Sequence, residues 1–125
     1  MREIKFRGVF TGCEKPIWMF GSLINKGSKY YIQTEIASYS VDPKSIGQYI
    51  GLKDRNGIDI YEGDIVKSDS GKIGYVTFLQ QEMGYVVAWH NCDTRLGHRT
   101  RGGSYNMDNT LSVIGNIYTN PELIK

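Results

Sequence analysis

The chain has 125 residues, 40% of them hydrophobic and 22% charged, with a formal net charge of +2. That length suits a single domain with a real core, and the composition excludes a disordered chain, a fibrous repeat and the strongly basic balance of a nucleic-acid coat protein. No apolar run approaches the roughly 20 residues of a membrane-spanning helix. With no secretory pattern and only Cys13 and Cys92, the expectation is a protein with reduced thiols and no membrane contact.

Taken in chain order, Arg2-Glu3-Ile4-Lys5-Phe6-Arg7 alternates polar and apolar residues, which predicts a strand with Ile4 and Phe6 on the core face and the charges outside. Thr11 to Pro16 reads as a turn. Residues 17–24 and 29–32 flank Asn25-Lys26-Gly27-Ser28, the pattern of a hairpin. Asp42-Pro43 predicts one helical turn, because proline fits the first helical position. Gln48 to Leu52 and Ile58 to Tyr61 flank a second hairpin turn at 53–57, where Asn56-Gly57 tolerates positive φ. Short strands are then expected at 65–67, 73–79, 85–90 and 111–118, a spacing that points to a small, partly closed barrel. The stretch 91–109 lacks apolar periodicity and contains Gly102-Gly103, so it reads as a long loop. Asn120-Pro121-Glu122 predicts a closing helical turn.

The resulting expectation is an all-β fold of short antiparallel strands with at most short helical turns. It has one domain over 1–125, with an N-terminal hairpin lobe over about 1–46 and a barrel lobe over about 47–125.

Three segments carry a family resemblance: Met1 to Arg7, Val41-Asp42-Pro43 with Gly47 to Val66, and Val113 to Leu123. In this order they resemble the YopX-like family of phage and prophage proteins. The resemblance implies a largely β fold, carriage on temperate phages or prophages, residence in the bacterial cytoplasm and no established enzymatic activity. The glycines and apolar residues of these segments also read physically as turn and packing positions.

Several groups could carry chemistry. Glu62 and Asp64 flank Gly63 and could serve as acid and base or bind a cation with Asp54 and Asp59, but an Asp in such a turn more commonly accepts local backbone N–H groups. His90, Cys92 and His98 are the nearest approach to a transition-metal set, with Cys13 or Asp93 as a fourth ligand; the spacing matches no common zinc module, and a Cys92/His90 nucleophile lacks an oxyanion hole. No catalytic residue, metal or cofactor is therefore assigned. Arg95, His98, Arg99 and Arg101, with Trp89 and Tyr105 nearby, form a basic stretch able to contact phosphates and stack on bases. Trp18, Phe20, Tyr30 and Tyr31 form an aromatic hairpin suited to a partner surface or to homo-oligomerisation, although aromatics in β proteins are more often core.

The leading expectation is a non-enzymatic binding module acting on a host or phage macromolecule, with protein favoured over nucleic acid. The alternative is a nucleic-acid-binding module using the loop over 91–109. A metal-dependent enzyme is the least favoured.

Overall fold

A computed structural model describes residues 3–80, 83–89, 93–95, 99–100, 103–104 and 111–124, the short segments between 93 and 104 by their backbone alone. The chain divides into two compact units, Met1–Gly51 and Leu52–Lys125. The fold is all-β, with 3-10 turns as the only helical elements among the described residues.

The first unit holds β1 (Phe6–Val9), β2 (Trp18–Lys26), β3 (Lys29–Gln33), β4 (Ser38–Val41), a 3-10 turn at Pro43–Ser45 and most of β5 (Gly47–Lys53). Its strands are ordered β4-β3-β2-β1-β5. The first hairpin turns on two residues, since Lys26 pairs with Lys29 and Gly27 has φ 65°.

The sheet curls until β4 meets the continuation of β1. Phe10 bridges Val41, Asp42 N–H donates to the Val9 carbonyl at 3.0 Å, and Thr11 N–H donates to the Ser40 carbonyl at 2.9 Å. Gly8 permits this curl, because a Cβ there would stand 2.9 Å from Val41 Cβ. The 3-10 turn locks the junction. Asp42 caps it by accepting from Lys44 N–H, while Ser45 Oγ donates to the Asp42 carbonyl at 2.6 Å and accepts from Val9 N–H at 2.8 Å.

The first strand departs from the alternation that predicts it. It begins at Phe6, leaves Ile4 70% exposed and buries Arg7 to 8% exposure. The cause is position: β1 lies inside the sheet between β2 and β5, and Ile4 precedes the first pair with β2. Arg7 accommodates burial by laying its guanidinium over the Trp18 ring at 4.7 Å.

The second unit begins with the last two residues of β5, the turn after it and β6 (Asp59–Tyr61). It continues through β7 (Asp64–Lys67), β8 (Ile73–Leu79), β9 (Gly84–Ala88), β10 (Asp93–Arg95), β11 (Arg99–Thr100), β12 (Gly103–Ser104), β13 (Ser112–Asn116) and a closing 3-10 turn at Pro121–Ile124. Ile60, Ile65, Val66, Val76, Val86, Val87 and Leu111 are its most deeply buried apolar residues. Burying each such side chain contributes about 1.5–3 kcal/mol.

The main sheet has the order β10-β9-β8-β7-β13, with β10 and β13 as its edges. These edges do not pair with each other, so the strands expected to form a barrel lobe form an open antiparallel sheet, and the described residues contain no closed barrel. The stretch read as a long loop supplies an edge strand, because Asp93–Arg95 pairs with Val86–Ala88. Backbone pairing needs no apolar alternation at an edge, which is why periodicity misses it.

Candidate binding surface on the N-terminal sheet

The acidic residues of the second unit hold backbone. Asp54 is 5% exposed, and its carboxylate accepts Asn56 N–H at 2.8 Å and Ile58 N–H at 2.9 Å through Oδ1, and Val113 N–H at 2.9 Å through Oδ2. One side chain therefore shapes the hairpin turn and ties it to β13. Burial is the largest influence on its pKa and raises it, but the three N–H donors from Val113, Ile58 and Asn56, with Arg55 nearby, together hold it below the usual carboxylate value. Sequence proximity marks Asp54 only as a possible metal ligand. Its contact with Val113, 59 positions away, is the signal that reveals its role.

Asp64 is buried, and its Oδ2 accepts Tyr61 N–H at 2.7 Å, the backbone role that competes with acid-base chemistry. Glu62 is half-buried in the same turn. Gly63, at φ 94°, donates to the Val76 carbonyl and accepts from Ile117 N–H, each at 2.8 Å. Asp59 pairs with Lys53 at 2.6 Å on the hairpin surface. Among the described residues no group of three or more His, Cys, Asp or Glu is placed to hold a metal ion. His90, Cys92 and His98 lie outside the described residues, while Cys13 is exposed in the turn after β1.

The basic stretch is described only in part. Arg95 lies on β10 and Arg99 on β11 by their backbones, Trp89 is half-buried just after β9, and His98, Arg101 and Tyr105 lie outside the described residues.

The aromatic hairpin is fully described, and strand register sorts its residues. Directly opposed residues of antiparallel strands share a face, and successive residues along a strand change face. Leu23, Tyr30, Ile32, Tyr39 and Val41 fall on the inner face, where Ile32 and Val41 are buried. Phe20, Ile24, Lys26, Lys29 and Tyr31 fall on the outer face, with Trp18 and Arg7 at its border. Phe20 is 50% exposed, Tyr31 is half-buried, and Lys26 Nζ stands 5.8 Å from the centre of the Tyr31 ring. The remaining outer positions of β2, β3 and β4 are Ser22, Gln33, Ser38 and Ser40, so this face carries lysines and no carboxylate. The four aromatics therefore do not act as one cluster: Tyr30 belongs inside, and Trp18, Phe20 and Tyr31 belong outside.

Fold and surface together define an all-β protein of two antiparallel sheet units, the first presenting aromatic rings and lysines on its outer face. The chain belongs to the YopX family, whose model, described as YopX protein, matches residues 15–125. The N-terminal segment Met1 to Arg7 lies outside that match. The crystal structure of protein EF1440 from Enterococcus faecalis is similar to this chain with a TM-score of 0.60 and 21% identity, covering 100% of both chains, and so shares its fold. Among curated proteins none matches the chain. No helix among the described residues is long and apolar enough to cross a membrane.

Proposed function

We propose that this YopX-family protein is a phage- or prophage-encoded, non-enzymatic binding module. It acts in the bacterial cytoplasm on a host or phage macromolecule, through the outer face of β2, β3 and β4. The observation that carries the reading is that exposed Phe20 shares a sheet face with Tyr31, Lys26 and Lys29 and with no carboxylate. Exposed aromatic and cationic side chains are the common currency of recognition surfaces. The acidic residues best placed for chemistry, Asp54 and Asp64, are already committed to backbone N–H groups.

The test is capture from a bacterial lysate with the full chain as bait, beside a Phe20→Ala/Tyr31→Ala double variant shown by circular dichroism to be folded. The expected result is a macromolecule, protein or nucleic acid, retained by the native chain and lost with the variant. Retention of nothing specific, or equal retention by both, would overturn the reading. Mass in solution at micromolar concentration tests homo-oligomerisation through the same hairpin, and a monomer removes that version of it.

A further inference from the structure

We infer that the partner of this face is single-stranded nucleic acid, an inference that rests on the binding-module reading and narrows it to one chemistry. Every ionisable group placed on the outer face of β2, β3 and β4 by register is a lysine or a tyrosine, which favours a polyanion. A second copy of the same face is disfavoured, because its strand positions carry no carboxylate to meet these lysines. A purely apolar protein surface is disfavoured too, since Lys26 and Lys29 would lose hydration without gaining an opposite charge.

Shape narrows the polyanion. Phe20 and Ile24 lie four residues apart on β2, about 13 Å along the strand, and Tyr31 is the direct partner of Ile24 on β3. Two rings on the outer face of this sheet, with lysines beyond the second, form a path for a chain whose flat groups stack and whose backbone is charged. Bases can use these rings only when they are not stacked inside a duplex, so the fit is to a single strand. Lys26 and Lys29 stand together at the hairpin end, where they supply phosphate contacts. Ser22 lies between the rings and offers a hydroxyl with no preference for one base, while the amide of Gln33 opposite it is held by the Thr34 carbonyl and Ser38 Oγ.

The geometry predicts weak sequence preference and strong salt dependence. Fluorescence anisotropy with the full chain and a labelled dT20 or U20 strand at 50 mM salt is expected to show saturable binding, and the corresponding duplex is expected to bind more weakly. Phe20→Ala and Tyr31→Ala are each expected to weaken binding about 5- to 150-fold, the range found for loss of one stacked base. Lys26→Ala/Lys29→Ala is expected to flatten the slope of log affinity against log salt by about 1.4. Lys26→Glu/Lys29→Glu, on exposed positions that leave the fold intact, is expected to abolish binding.

No saturable binding of either strand by the native chain would overturn the inference, as would binding that survives these four changes and vanishes in an Arg95→Ala/Arg99→Ala/Arg101→Ala variant. Nuclease treatment of the lysate capture separates this failure from that of the broader reading. A protein retained after nuclease and lost with Phe20→Ala/Tyr31→Ala refutes the nucleic-acid partner and leaves the binding module standing. Capture that is specific without nuclease and lost with it is the result expected for nucleic acid, whereas no specific capture even without nuclease refutes both readings.

Discussion

Replacing Asp54 with alanine tests the structural account most directly. The carboxylate accepts three backbone N–H groups, two in its own turn and one on β13. A hydrogen bond to a charged group contributes about 1.5–3 kcal/mol, so three set an upper bound near 9 kcal/mol. Asn56 and Ile58 are exposed, and their N–H groups can turn to water once the carboxylate is gone. Val113 is less accessible, and its N–H together with the freed turn accounts for a loss of about 3 kcal/mol. Against a total stability of 5–15 kcal/mol that is a large fraction. It is expected to lower the melting temperature by about 10 °C.

Asp54→Asn is expected to cost less, about 2 kcal/mol, because the amide oxygen still serves the turn while its NH2 faces the Val113 donor. The charge adds a pH signature. With the folded pKa held below the unfolded value of 3.8, the stabilisation is complete above that value and is lost as pH falls through the folded pKa. The gap between the native chain and Asp54→Asn should therefore be constant near neutrality and narrow below about pH 4. Urea denaturation from pH 3 to 7, with hydrogen exchange at the Val113 amide, reads both effects. An Asp54→Ala variant within about 0.5 kcal/mol of the native chain, with Val113 still protected, would refute the account.

Gly21→Ala should cost about 3 kcal/mol by chemical denaturation, because its Cβ would stand 2.1 Å from the Gln33 carbonyl oxygen and backbone cannot yield as a side chain can. Ser45→Ala should cost about 1–2 kcal/mol, since it removes the acceptor of the buried Val9 N–H. Asn116→Ala should cost about the same, because its Oδ1 accepts from Tyr118 N–H, Thr119 N–H and Thr119 Oγ1. Lys53→Ala should change stability by less than about 0.5 kcal/mol despite the 2.6 Å ion pair with Asp59, because the pair is solvated. Equal losses at Lys53 and Ser45 would show that burial does not decide what a polar contact contributes in this protein.

The elements most legible in the sequence are those decided by neighbouring residues. Asn56-Gly57 marks the hairpin of β5 and β6, Gly27-Ser28 the hairpin of β2 and β3, and Asp42-Pro43 a capped 3-10 turn, each needing only local dihedral preferences. What depends on distant partners is not legible. Arg7 is buried where register brings Phe20 opposite it and Trp18 against its guanidinium, and Asp93–Arg95 is a strand because β9 offers it an edge. The open form of the second sheet is likewise a statement about which edges meet. At the surface, the presence of an aromatic hairpin is legible, but its division into an inner Tyr30 and an outer Phe20 and Tyr31 needs the register with Ser22 to Lys26.

The segments that carry the family resemblance do fold work at nearly every position the structure explains. Asp54 binds turn to strand, Gly57 and Gly63 take positive φ, and Asp64 holds Tyr61 N–H. Gly115 leaves room for Asn120, whose Oδ1 would lie 2.7 Å from a Cβ there. The outer face of β2 and β3 differs in composition, carrying Phe20 and Tyr31 with Lys26 and Lys29. Backbone pairing alone does not require phenylalanine at position 20, and a lone exposed apolar residue needs no explanation, but one that shares a sheet face with Tyr31 and two lysines, with no carboxylate at the strand positions of that face, does. Stability and affinity should therefore separate along the chain. Asp54→Asn at neutral pH is expected to lower stability and leave nucleic-acid affinity within twofold, whereas Phe20→Ser is expected to shift stability by less than about 1 kcal/mol and lose most of the affinity. Parallel changes in both properties for both variants, measured by denaturation and anisotropy on the same preparations, would show that the face acts only through the fold.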